Sequence, residues 1–148
     1  MHQKPLNVVL ADDDVEDRLI FADAIEEIKI KTVFTALNDG IQLMEYLQNE
    51  ETIIPDIIFL DLNMPCKSGL DCLREIRNDK RLKNISIAIY STSSSDEDIE
   101  NTFVEGANVY IKKPTDFSAL KKVMSEVLQI NWQYQTSGLN KETFLLSI

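Results

Sequence analysis

Asp61 ends the apolar run Ile57-Ile58-Phe59-Leu60, and Pro65 follows four residues later. A short apolar run bounded in this way reads as a buried strand, so the acid falls at a strand's carboxyl end. Three other groups occupy equivalent positions. Asp12 and Asp13 follow Leu6–Leu10, Ser91 follows Ile85–Tyr90, and Lys113 lies just past Val109–Ile111. Each is among the first polar residues after an apolar strand. In a parallel sheet these strand ends share one edge, where open α/β sheets hold their ligand crevice. Three carboxylates brought together there repel one another and raise at least one pKa unless a cation neutralises them. A hard divalent ion with oxygen ligands, Mg²⁺ above all, suits that pocket. An acid, a metal, an ammonium and a hydroxyl describe a phosphoryl-transfer site, in which positioning and charge neutralisation do most of the work. The carboxylate can itself be the nucleophile and become an aspartyl phosphate.

The elements that must position these groups alternate in period. Leu6–Leu10 is a first strand, and Phe21, Ala24, Ile25 and Ile28 then share one face of a helix over Val15–Ile28. Thr32–Leu37, rich in β-branched and aromatic residues, is a second strand. Asn38-Asp39-Gly40 turns the chain into a helix marked by Ile41, Met44 and Leu47. The third strand, Ile57–Asp61, leads to Ser68, which can cap a helix with Leu70, Leu73 and Ile76 inward. After the fourth strand, Ser95-Asp96-Glu97-Asp98 resembles a capping box opening a helix with Ile99 and Phe103 inward, and Gly106 ends it. Val109–Ile111 is a short fifth strand, and Phe117, Leu120, Met124 and Val127 define a fifth helix. Five strands alternating with five helices predict a doubly wound parallel sheet with helices on both faces.

Composition excludes several functions. At 148 residues the chain fits one domain able to bury about two-thirds of its unfolded surface. Twenty-five acids against fifteen Lys and Arg give a net charge of −10. That balance disfavours nucleic acid and anionic membranes, which require clustered positive charge, and suits cations and basic partner surfaces. Cys66 and Cys72 have no second pair, and His2 is the single histidine, which argues against a zinc site and against a disulfide framework. With no secretory signal and no apolar run of membrane-spanning length, the expected setting is the cytoplasm.

Taken together, Asp12-Asp13, Asp61-Leu62-Asn63-Met64-Pro65 with Gly69, Ser91, and Tyr110 before Lys113-Pro114 resemble the receiver domain of two-component response regulators. The resemblance covers residues 5–130, roughly, and is to a stand-alone receiver. It implies a CheY-like, flavodoxin-like fold with strand order 2-1-3-4-5, which the patterning alone does not supply. It implies that Asp61 is the phospho-acceptor and that Asp12, Asp13, Asp61 and the backbone carbonyl of Asn63 hold Mg²⁺. Lys113 would pair with Asp61 and then with the phosphoryl group, Ser91 would donate to a phosphoryl oxygen, and Tyr110 would be the aromatic switch residue. The implied donor is a sensor histidine kinase or a histidine phosphotransfer protein. The implied output is a downstream protein partner or onward phosphorelay, so the chain would catalyse only its own phosphorylation and dephosphorylation.

Two other functions compete. A haloacid-dehalogenase-type Mg²⁺-dependent phosphatase also uses Asp, Ser or Thr, and Lys. Here, however, the acidic pair comes first in the chain, and position 63 is Asn where a second Asp would serve. A constitutive receiver-like scaffold is disfavoured because every chemical position is filled. Residues 131–148 form a tail outside the alternation. Trp132, Tyr134, Phe144, Leu145, Leu146 and Ile148 make it too apolar for a linker. It is expected to fold back over its own domain, or to pack on a second copy as a homodimer, near the face that responds to phosphorylation.

Overall fold

The structure is a computed structural model that describes residues 4–129 and 144–146. It alternates β1 (Leu6–Ala11), α1 (Val15–Glu27), β2 (Thr32–Leu37), α2 (Gly40–Gln48), β3 (Ile57–Leu60) and α3 (Gly69–Asn78). Then come β4 (Ser86–Ser91), α4 (Asp96–Val104), β5 (Val109–Lys112), α5 (Phe117–Gln129) and β6 (Leu145–Leu146). The first five strands are all parallel and lie in the order 2-1-3-4-5, with β3 at the centre. This is the CheY-like, flavodoxin-like arrangement.

Strand residues divide by parity between two cores, as a pleated sheet covered on both faces requires. Val9, Ala11, Ile58, Leu60, Ile87, Ile89 and Tyr110 pack with the inward residues of α2 and α3, and Ile99 and Phe103 of α4 lie against the same layer. Val8, Leu10, Ile57, Phe59, Ala88, Tyr90, Val109 and Ile111 pack with α1 and α5. All four residues of β3 are buried, which explains why it reads as an unbroken apolar run rather than as an alternation.

Each helix start near the site has a side-chain cap. The Asp14 carboxylate accepts from the N–H groups of Glu16 at 2.9 Å and Asp17 at 3.2 Å, and Ser68 Oγ accepts from Asp71 N–H at 3.1 Å. Ser95 caps α4 by accepting from Asp98 N–H at 3.1 Å, but the expected box is only half formed. Its return arm is missing because the Asp98 carboxylate takes the Ser93 hydroxyl instead, at 2.6 Å. Gly106 ends α4 at φ +95°, backbone that side chains with a Cβ avoid.

The sheet departs from the expected five strands by one short addition. β6 pairs in parallel with β5, Leu145 opposite Tyr110 and Leu146 opposite Ile111. An uncovered β5 would leave its outer N–H and C=O groups unpaired, and two residues of the tail satisfy part of that edge. The adjoining Phe144 is fully buried, its ring 5.3 Å from that of Phe103 and 6.2 Å from that of Tyr110, both edge-on. Trp132, Tyr134 and Ile148 lie outside the described residues.

Candidate functional site

Pairing in the sheet brings the acids together. Ala11 of β1 is level with Leu60 of β3, so Asp12 and Asp61 are each the next residue along adjacent strands. Asp61 N–H donates to the Ala11 carbonyl at 3.0 Å and fixes that register at the edge. On the other side Ser91 is level with Lys112, and Lys113 N–H donates to the Ser91 carbonyl at 2.8 Å. Asp12, Asp13 and Asp61 can each offer an oxygen within 4.8 Å of the others. Asp12 is fully buried and Asp61 is 6% exposed, while Asp13 faces solvent.

The turn after β3 wraps closely over Asp61. Gly69 N–H donates to the Leu62 carbonyl at 3.0 Å, and a Cβ on Gly69 would come within 2.1 Å of the Asp61 carbonyl oxygen. Only glycine allows α3 to start so near the acid. Within this turn Cys66 adopts the left-handed region at φ 67°.

Lys113 is the cation of the pocket, and its side chain is only 10% exposed. Its Nζ lies 2.8 Å from Asp12 Oδ2, 2.8 Å from Asp17 Oδ2 and 3.7 Å from Asp61 Oδ2. The pairing expected with Asp61 is therefore the longest of three. The Nζ also sits 5.3 Å from the centre of the Tyr90 ring, within cation–π range. Burial alone would lower the Lys113 pKa, but the neighbouring carboxylates of Asp12, Asp17 and Asp61 hold it above its ordinary value.

The Asp61 carboxyl is pushed up to about 6, chiefly by burial. Lys113 and the Asn63 N–H oppose that shift, while the charges of Asp12 and Asp13 add to it. A carboxylate at this pKa, beside two others, is a strained anion that a divalent cation would relieve. The three carboxylates offer oxygen donors, which fit a hard ion rather than a soft one.

Ser91 is fully buried at the end of β4, and its Oγ accepts from Ser93 N–H at 3.1 Å, whereas Thr92 is exposed. Tyr110 is also fully buried, and its hydroxyl donates to the Ser93 carbonyl at 2.8 Å. The loop after β4 thus touches both side chains. Asp17 and Arg18 were not expected here. Arg18, in the first turn of α1, donates from Nη1 to the Asp12 carbonyl at 2.8 Å. Acids in a first helical turn are favoured by the helix dipole wherever they point, so spacing alone did not single out Asp17.

These features define a class: a doubly wound α/β domain with an acidic pocket and a buried lysine at the carboxyl edge of its sheet. The family model for the response regulator receiver domain matches residues 8–125, and the chain belongs to that family. Response regulator Rcp1 of Synechocystis is 28% identical over 127 residues, covering 83% of this chain and 86% of that protein. The Mn²⁺-bound crystal structure of Rcp1 superposes with TM-score 0.79 at 27% identity, covering 84% of this chain and 96% of that one. The phosphorylated cyanobacterial phytochrome response regulator RcpA superposes with TM-score 0.76 at 29% identity, covering 84% and 91%. The haloacid-dehalogenase and scaffold alternatives gain no support from these matches. Among the described residues no helix is long and apolar enough to cross a membrane.

Proposed function

We propose that this chain is a stand-alone receiver that takes a phosphoryl group on Asp61 from a sensor histidine kinase or a histidine phosphotransfer protein. The observation that carries the reading is Asp61 itself, a buried carboxyl with two acids within 4.8 Å and a lysine 3.7 Å away. An Asp61 oxygen attacks phosphorus while the bond from phosphorus to the donor nitrogen breaks, and the donor imidazole leaves with that electron pair. Asp12, Asp13, Asp61 and the Asn63 carbonyl would hold Mg²⁺. The ion would neutralise the crowded acids and draw charge from the phosphoryl oxygens. The Mn²⁺-bound form of Rcp1 and the phosphorylated form of RcpA support both halves of this reading by similarity. Lys113 supplies a fixed positive charge that needs no reorganisation. Output passes to a downstream protein partner or to onward phosphorelay. Cys66 and Cys72 are both free, which suits a cytoplasmic setting.

Acetyl phosphate tests the acceptor chemistry without a kinase. With Mg²⁺ present, mass spectrometry is expected to show one added phosphoryl group, lost on hydroxylamine treatment and prevented by chelation. Labelling that is indifferent to chelator would remove the metal from the reading.

Transmission runs through the loop after β4. Ser91 Oγ is expected to move toward the phosphoryl group, disturbing Ser93 and with it the hydrogen bond from Tyr110. Ser91→Ala is therefore expected to accept phosphate but to lose most of the phosphorylation-dependent NMR shift at Tyr110. Should Ser91→Ala leave that shift intact and Thr92→Val abolish it, the hydroxyl role belongs to Thr92.

A further inference from the structure

We propose that Asp17 is a positioning residue for phosphoryl capture: it anchors the Lys113 ammonium so that one N–H remains directed to the group forming on Asp61. The proposal rests on the reading of Asp61 as acceptor and adds a residue to its machinery. An ammonium has three donors. One is taken by a hydrogen bond to Asp17 Oδ2 at 2.8 Å, while Asp12 Oδ2, also at 2.8 Å, is held as an ion pair outside hydrogen-bond geometry. Asp61 Oδ2, at 3.7 Å, is too far for a hydrogen bond, so a donor remains near the acceptor without being used up by it. That is the arrangement a developing phosphoryl charge requires, with a charge fixed before the reaction and a donor still available.

Asp12 cannot do this alone. Its other oxygen already accepts from Asp14 N–H at 3.0 Å, and its carboxylate belongs to the cluster that would bind the cation. A cation on Asp12 would draw its charge away from Lys113 and weaken that pairing. Asp17 lies outside the cluster, on α1, and keeps its full charge for the lysine. Its backbone is fixed as well, since Asp17 N–H is capped by Asp14 and the neighbouring Arg18 ties α1 to the Asp12 carbonyl. Asp17 thus bridges α1 to Lys113, 96 residues away in the chain. It transfers no proton and forms no bond in the step, in which the Asp61 oxygen gains the phosphoryl group and the leaving group departs with its electron pair.

The experiment uses the full chain with acetyl phosphate as donor. Labelling rates are measured against donor concentration at saturating Mg²⁺ for wild type, Asp17→Asn, Asp17→Ala and Asp17→Glu. Mg²⁺ affinity is measured separately by calorimetry without donor, and circular dichroism checks folding. Asp17→Asn is nearly isosteric and is expected to lower the maximal rate by about tenfold, within the range that misplacing a catalytic group costs. Mg²⁺ affinity is expected to stay within about twofold, because Asp17 is not in the cluster, and Asp17→Glu to recover most of the rate. A merely structural tether would not give this split with rescue. Unchanged labelling in folded Asp17→Ala overturns the proposal, and so does faster labelling, which would mean that Asp17 holds the lysine back. A rate loss matched by an equal loss of Mg²⁺ affinity also overturns it. If Asp61→Asn labels as wild type does, the acceptor reading itself has failed; if wild type labels only at Asp61 and Asp17→Asn matches it, only the positioning role has.

Discussion

Asp61→Asn is expected to lose all stable phosphorylation and, without metal, to be more stable than wild type at pH 7.5. The first effect follows from removing the nucleophilic oxygen charge; residual labelling at the wild-type level would place the acceptor elsewhere. The second follows from linkage. The Asp61 pKa rises from 3.8 to about 6 on folding, so the folded state favours the protonated acid. Its contribution to stability is fully present below pH 3.8 and is lost as pH rises through about 6. At 1.36 kcal/mol per pKa unit, the ionised acid costs about 2–3 kcal/mol at pH 7.5. Asn carries no charge and avoids that cost, which corresponds to a gain of roughly 5–10 °C in melting temperature for a domain of this size. The advantage is expected to shrink as pH falls from 6 to 4. Saturating Mg²⁺ is expected to narrow it too, because the cation binds the folded wild type and offsets the repulsion. Equal melting temperatures at pH 7.5, with and without chelator, would mean that the three acids do not strain the fold.

That strain was legible in the chain because the pattern around Asp61 is extreme. Four consecutive buried residues, Ile57–Leu60, leave little but a central strand as their reading, and a parallel sheet then brings Asp12 to the same edge. Lys113 was legible for the same reason, but its two nearer partners, Asp12 and Asp17, were not. The distance from its Nζ to Asp17 depends on how α1 starts, and that start is set by the Asp14 cap. Asp14 and Asp17 look alike in the sequence; one caps a helix while the other holds a buried lysine. The ordering of Asp12 and Asp13 was also invisible, since nothing in adjacent aspartates says which one turns inward. Arg77 was missed altogether. Its guanidinium donates to the carbonyls of Lys83, Ile85 and Gly106 and to the Asn108 side chain at 2.7–2.9 Å, tying α3 to the strands beyond it. An arginine in the last turn of a helix ordinarily reads as a charge complementing the dipole. β6 was not legible as a strand, because two residues have no period, although the apolar Phe144, Leu145 and Leu146 marked a tail expected to fold back.

The tail nevertheless carries the second large effect. Phe144→Ala is expected to destabilise the protein by about 3–4 kcal/mol, in the range for deleting a fully buried aromatic side chain. Two edge-on ring contacts, to Phe103 and Tyr110, are lost along with the buried area. The loss is local before it is global. Among the described residues β6 is only two residues long and has no strand on its outer side, so without the Phe144 anchor its pairing with β5 has little to hold it. Hydrogen exchange is therefore expected to quicken most at Leu145 and Leu146 and along β5, and in β1 and β3 only by as much as global stability falls. Tyr110 then loses the ring packed against it while keeping its hydrogen bond to the Ser93 carbonyl. Its side chain is expected to sample more than one rotamer in the unphosphorylated protein, visible as broadened ring resonances. Phe103→Ala, which removes the other ring of the pair, is expected to have a smaller effect because Phe103 is only partly buried. Wild-type stability in Phe144→Ala, together with unchanged exchange along β5, would show that Phe144 does not anchor the tail to the domain.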